Sequence, residues 1–154
     1  MKIRIATHDD SDILLPLVRA YHEFEGIKST NADRAEAVAP LLPEGTAVGR
    51  VWLIEMMGEA IGYIALCFGY SIEFGGRDAF VDEFYIVEEA RGRGIGSAVL
   101  EAVKLEAVSF GVRALHLEVA RENHGAKRLY SSAGFASRER FHLITCRLEG
   151  DVTG

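Results

Sequence analysis

Cysteine, proline and tryptophan are scarce in this chain of 154 residues: two, three and one of each. Cys67 and Cys146 each sit inside an apolar run, so both are expected as small core residues rather than a disulfide framework or metal cluster. Long apolar stretches are missing too. The longest, Ile61 to Phe68, is broken by Gly62 and falls short of the ~18–20 residues that cross a bilayer, so no membrane span is expected. Met1 to Asp10 lacks the apolar region of a signal peptide, which points to a cytoplasmic protein. Basic residues are in deficit, 17 against 23 acidic, for a net charge of −6. That balance disfavours a general nucleic-acid binder, because neutralising phosphates needs a basic surface. The histidines show no ligand spacing such as H-x-x-x-H, and no metal is expected.

What is present fits one folded unit. Hydrophobic residues make up 49% and charged residues 26%, and the length suits a single domain over 1–154. Lys2 to Ala6 alternates as a first strand. Ile13, Leu14, Leu17, Val18, Tyr21 and Phe24 form a helical stripe, with cap candidates in Asp9–Asp12, an early Pro16 and Gly26 as the stop. A second helix is predicted over Ala32–Leu42, with Asn31 as cap and Pro43 as terminator. Val48–Met56 and Ala60–Phe68 read as a hairpin turning at Gly58-Glu59, and a loop over Gly69–Asp78 leads to a strand over Ala79–Val87. A long helix follows, stopped by Gly111, then a strand over Ala114–Ala120. Asn123 caps a short helix that ends at Gly134, and Phe141–Leu148 reads as a closing strand. Consecutive strands imply antiparallel pairing, while the passage Ala79–Ala120 implies one parallel βαβ crossover. The fold class is α/β, with a mixed, mostly antiparallel sheet and helices on both faces.

The sharpest motif is Arg91-Gly92-Arg93-Gly94-Ile95-Gly96-Ser97, between a strand and the long helix. Glycines allow a tight turn and close backbone approach, and a helix N-terminus offers free amides and a favourable dipole to phosphate. Arg91 and Arg93 add charged donors. The dinucleotide fingerprint G-x-G-x-x-G fails: counting from Gly92 its third glycine is Ser97, and from Gly94 it is Val99. A P-loop also fails for want of Gly-Lys-Ser/Thr.

Arg91-x-x-Gly94-x-Gly96, followed by Asn123-x-x-Ala126-x-x-Leu129-Tyr130-x-x-x-Gly134-Phe135, resembles the GCN5-related N-acetyltransferases over about Ala79 to Phe135. Glu88 departs from the proline many members carry there, and Asp82-Glu83-Phe84-Tyr85 is similar to the diamine acetyltransferase branch. The resemblance implies the acyl-CoA N-acyltransferase fold and transfer of an acetyl group from acetyl-CoA to a primary amine of a small molecule or peptide, in a ternary complex. It implies that Arg91 to Ser97 hold the pyrophosphate. The pantetheine arm would lie in a slot between splayed strands beside Tyr85, Ile86 and Val87, where a main-chain N–H polarises the thioester carbonyl. Tyr130 is the implied general acid toward the thiolate, and Asn123 caps its helix and contacts the pantetheine or a water.

For the base, Glu83 is preferred to Asp82. Alternation puts the two on opposite faces, Glu83 with Val81 and Tyr85, Asp82 with Phe80 and Phe84. His22, Glu23, Glu25, His116, Glu118 and His142 are candidates for the acceptor pocket, although each alone reads as an ordinary surface or satisfied polar group. Family members often dimerise through sheet edges and C-terminal strands, so a homodimer is compatible. The rival from another class is a catalytically silent acetyl-CoA-binding sensor or regulatory module.

Overall fold

The structure, a computed structural model, describes residues 1–148. Its elements are β1 (Lys2–Ile5), α1 (Ser11–Glu25), α2 (Asn31–Val38), β2 (Gly49–Met56), β3 (Glu59–Ser71), β4 (Gly76–Ile86), α3 (Ile95–Ser109), β5 (Ala114–His116) and α4 (His124–Ser132). The five strands lie side by side in chain order. All neighbours are antiparallel except β4 and β5, which are parallel and joined through α3. This is the mixed sheet with one crossover that the element order predicts.

Both faces of the sheet are covered, and β2 shows why its sequence is almost unbroken apolar. Val51 and Leu53 pack with Leu14, Leu17 and Val18 of α1, while Trp52 and Ile54 pack with Val99, Leu100 and Val103 of α3. Each large side chain buried this way stabilises the fold by roughly 1.5–3 kcal/mol. At the start of the chain Asp10, among the predicted cap candidates, occupies the N-cap position of α1, but its side chain makes no bond to the helix. Its carboxylate accepts from both terminal nitrogens of Arg4, at 2.9 and 2.7 Å, and from the Thr7 amide at 2.8 Å. Pro16 falls at the sixth position of α1 rather than in its first turn, facing solvent, so the Asp12 carbonyl loses its helical donor where water can replace it. The cap of α2 is Thr30, one residue before Asn31: Thr30 Oγ1 accepts from the Asp33 amide while Asp33 accepts from the Thr30 amide, both at 3.0 Å. Pro40 then tightens the chain into a 3-10 turn, so α2 ends before Leu42.

The β2–β3 turn is Met57-Gly58, both with positive φ, and not Gly58-Glu59. β3 and β4 run on past the predicted loop and close over Ile72–Gly75. The predicted C-terminal strand is absent: residues 141–148 are irregular and exposed, and Cys146 is an exposed thiol rather than a core residue. The apolar run there has no partner edge, since β5 pairs with β4 over only Ala114–His116, not to Ala120. Cys67, half-buried on β3, keeps an apolar setting that pushes its thiol up to about 11.

The departure that matters most lies in β4. The β3–β4 register jumps from Leu66↔Val81 to Ala65↔Glu83, so Asp82 sits in a bulge with no partner. One extra residue reverses the alternation. Val81 packs on the α3 side, whereas Tyr85 packs on the α1 side with Tyr63, and Val87 at the strand end touches both. Glu83 therefore shares a face with Tyr85 but not with Val81.

Candidate active site

The cleft begins at the N-terminus of α3. Gly92 and Gly94 adopt φ of 75° and 76°, left-handed values that favour glycine, and neither has a neighbour within 4 Å of the place a Cβ would occupy. The Ala98 amide donates to Gly94 O at 3.2 Å, which leaves the amides of Ile95, Gly96 and Ser97 without helical acceptors. Gly96 has a different task. A Cβ there would stand 3.0 Å from Leu129 Cδ2, so glycine lets α4 pack close to α3.

Beyond Phe80↔His116, β5 no longer pairs with β4, and the strands part. Hydrogen-bond parity decides what this exposes. The Val87 N–H donates to Ile61 O at 2.9 Å, so Tyr85 and Val87 are bonded to β3, while Phe84 and Ile86 turn their amides toward the gap. Of the three residues expected beside the slot, Ile86 is thus the one that offers a free N–H. Leu117, Glu118, Val119 and Ala120 form the opposite wall.

The resulting cleft measures about 940 Å3 and reaches from Gly92, Gly94 and Ser97 to Asn123, Tyr130 and Asp82. That space is of the size that takes a cofactor-sized ligand. Asn123 caps α4, its Oδ1 accepting from the Ala126 amide at 3.1 Å, as its position predicts. Tyr130 is half-buried and meets Phe135 edge-on, ring centroids 5.8 Å apart. Burial, and secondarily the charge of Glu25, raise its phenol above the ordinary range, so it keeps its proton at neutral pH. Arg91 does not extend freely. Its Nε donates to Ile86 O at 2.8 Å, and its guanidinium lies 5.1 Å from the Phe24 ring and 5.5 Å from the Tyr85 ring. It ties the end of β4 to the end of α1.

The two acidic neighbours divide. Asp82, thrown out by the bulge, lines the cleft; Glu83 does not. Both Glu83 oxygens are engaged, accepting from Tyr63 Oη at 2.8 Å and pairing with His22 Nε2 at 2.7 Å. Arg93 and Val87 also lie outside the cleft wall, whereas Tyr85, Ile86, Arg91, Gly92, Gly94, Ile95, Gly96, Ser97, Asn123 and Tyr130 belong to it. Among the acceptor-pocket candidates, Glu25 and Glu118 face the cleft. Glu23 is paired with Arg19 on the outside of α1, His116 with Asp78, and His142 is exposed. The α1 stripe hid two further wall residues, Tyr21 and Phe24, which sequence periodicity assigns to the core. Phe24 is 59% exposed, and its place beside a helix-ending glycine is the only sequence signal that separates it from the packed stripe.

Residues 17–135 match the model of the acetyltransferase (GNAT) family. A thialysine N-epsilon-acetyltransferase of Bos taurus is 29% identical, aligned over 97% of this chain and 93% of its own. The uncharacterized N-acetyltransferase YhfO of Bacillus subtilis (strain 168) is also 29% identical, over 88% of this chain and 89% of its own. Among solved structures, an integron cassette protein, HFX_CASS3, from the mobile metagenome of Cole Harbour Salt Marsh superposes with a TM-score of 0.83. It is 34% identical and covers 96% of this chain and 91% of that one. The chain belongs to the GNAT family of acetyltransferases.

Proposed function

We propose that the protein transfers the acetyl group of acetyl-CoA to the primary amine of a small cationic acceptor by direct attack in a ternary complex. The observation that carries this reading is the single cleft joining the amide-rich start of α3 to Tyr130 and to three carboxylates, Glu25, Asp82 and Glu118. Its donor set fits acetyl-CoA: open glycines and free amides at one end suit a pyrophosphate, and an unpaired strand edge suits a peptide-like arm. Bound there, acetyl-CoA supplies an activated acyl group and a thiolate leaving group.

Each residue then has a limited task. The amides of Gly92 to Ser97 bind phosphate oxygens, and Arg91 braces the loop against α1. The Ile86 N–H polarises the acyl carbonyl, and Tyr130 holds the proton the departing thiolate requires. Asp82 is the carboxylate at the amine, acting directly or through one water, with Glu83 behind it. Three carboxylates and the faces of Tyr21 and Tyr85 favour a positively charged acceptor. The relative named for acetylating thialysine at its ε-nitrogen supports a lysine-like or diamine acceptor.

Release of free thiol from acetyl-CoA across a panel of diamines, lysine-like amino acids, aminoglycosides and peptide N-termini tests the proposal. Rapid release with diamines or lysine-like compounds, lowered about 100-fold or more by Asp82→Asn, is the expected result. Acetyl-CoA binding without release for any amine would favour the silent sensor.

A further inference from the structure

Beneath α1 and α2 lies a second, smaller cavity of about 80 Å3, bordered by His22, Arg34, Tyr63, Asp82 and Glu83. Asp82 borders both this cavity and the main cleft. Leu14, Val18, Val51 and Ala65 give it a largely apolar wall, so the few waters it can hold find their partners only at the end lined by these polar side chains.

Around the cavity runs a connected set of hydrogen bonds. Tyr63 Oη donates to Glu83 Oε1, and Glu83 Oε2 stands 2.7 Å from His22 Nε2. His22 Nδ1 stands 2.9 Å from Ser29 Oγ, which also accepts from Arg34 Nη1 at 2.8 Å. The side chains of His22 and Glu83 are only 14% and 18% accessible, so solvent screens them weakly. A carboxylate has no proton to give, so Nε2 carries the hydrogen and the basic lone pair of the neutral ring is on Nδ1. Ser29 donates its hydroxyl proton to that lone pair. When Nδ1 is protonated, rotation of the same hydroxyl lets Ser29 Oγ accept instead. Both charge states of the imidazole are satisfied with no other movement.

We propose that His22, oriented by Glu83, is the base that finally holds the proton given up by the acceptor amine, with Asp82 as the link between the cleft and the imidazole. The proposal rests on the acetyl transfer proposed above. In the step, an N–H bond of the acceptor ammonium breaks and its electron pair stays on nitrogen as the attacking lone pair. An Asp82 oxygen takes the proton and passes it through cavity water to Ser29 Oγ, which binds that proton as it gives its own hydroxyl proton to Nδ1 of His22, where the new N–H bond forms. Asp82 returns to a carboxylate, and the positive charge has moved from ammonium to imidazolium. The imidazolium loses its proton to solvent before the next turnover. The charged and titratable groups facing the ring come from every side. Glu83 and Asp82 of β4 favour the imidazolium, Arg34 of α2 opposes it, and Tyr63 of β3 and Tyr21 of α1 are neutral phenols, held so by burial. Glu83 is thus a positioning residue for His22, as a carboxylate orients the imidazole of a hydrolytic triad.

Turnover at saturating acceptor, measured against pH for the full chain and two variants, tests this. His22→Gln keeps an N–H for Glu83 but does not titrate. It should lower kcat at least about tenfold, leave the acceptor KM within about twofold, and abolish the acid limb of the kcat profile. Glu83→Gln keeps an acceptor for Nε2 without its charge and should lower kcat with the acceptor KM held within about twofold. A purely structural pair would not split kcat from KM in this way. Added imidazole should restore part of the activity of His22→Ala. A His22→Gln enzyme with the original kcat and acid limb overturns the proposal. So does a loss of activity that tracks a smaller folded fraction by circular dichroism and resists imidazole. A parent enzyme that transfers no acetyl group would overturn the proposed function and this inference together.

Discussion

Tyr130 is the side chain whose proposed role rests most on its surroundings. Helical periodicity alone makes it a packing residue of a short helix, while its place seven residues after Asn123 and four before Gly134 matches the position that the family resemblance gives a general acid. The structure sets it in the cleft wall with its phenol raised by burial and by Glu25. Tyr130→Phe should lower kcat by about 100-fold or more while the dissociation constant for CoA changes little, as initial rates and calorimetry would report. An acid must be protonated to act, so the alkaline loss of turnover should begin above the ordinary tyrosine range near ~10. Glu25→Gln removes one of the causes that raise this phenol and should bring that limb to lower pH. Arg4 and Asp10 illustrate the same dependence on neighbours for stability. The Arg4 guanidinium holds the Asp10 carboxyl below its ordinary value, so the pair's contribution is present above ~4, the unfolded pKa, and is lost as pH falls through the folded one. Arg4→Met leaves a buried carboxylate unpaired. It should cost on the order of 3 kcal/mol in urea unfolding at neutral pH, and the difference should shrink below about pH 4.

At the scale of elements, what was legible and what was not separate by whether the cause is local. The glycine loop, the Asn123 cap and the long α3 are written in adjacent residues. The antiparallel pairing of consecutive strands and the single crossover follow from element order alone. The bulge at Asp82 is not written locally, because it depends on how β3 registers against β4. Strict alternation across it groups Val81 with Glu83, which the structure separates, and cannot tell that Asp82 rather than the preferred Glu83 lies in the cleft wall. The closing strand fails for a related reason: an apolar run becomes a strand only where an edge receives it, and β5 offers little edge. Gly62 lets β3 approach the end of β4 closely. A Cβ there would fall 2.2 Å from Tyr85 O, a backbone atom that cannot move without displacing β4. Gly62→Ala should destabilise the fold by about 1–3 kcal/mol, lowering Tm by several degrees, and should reduce turnover of the remaining folded enzyme.

For the whole molecule, the net charge of −6 conceals a division of labour. Glu25, Asp82 and Glu118 concentrate negative charge where the acceptor would enter, and the free amides of α3 offer positive potential at the other end of the same cleft. This predicts that kcat/KM for a dicationic amine exceeds that for a monoamine of equal length. The advantage should fall as ionic strength rises through ~0.1 M, where exposed charges are screened. The central claim is acetyl transfer to such an amine. It is tested most directly by incubating the protein with acetyl-CoA and a short diamine and reading the acceptor's mass. The account predicts a singly acetylated diamine formed in step with free CoA. An unmodified diamine and intact acetyl-CoA, with the cofactor shown by calorimetry to be bound, would contradict it.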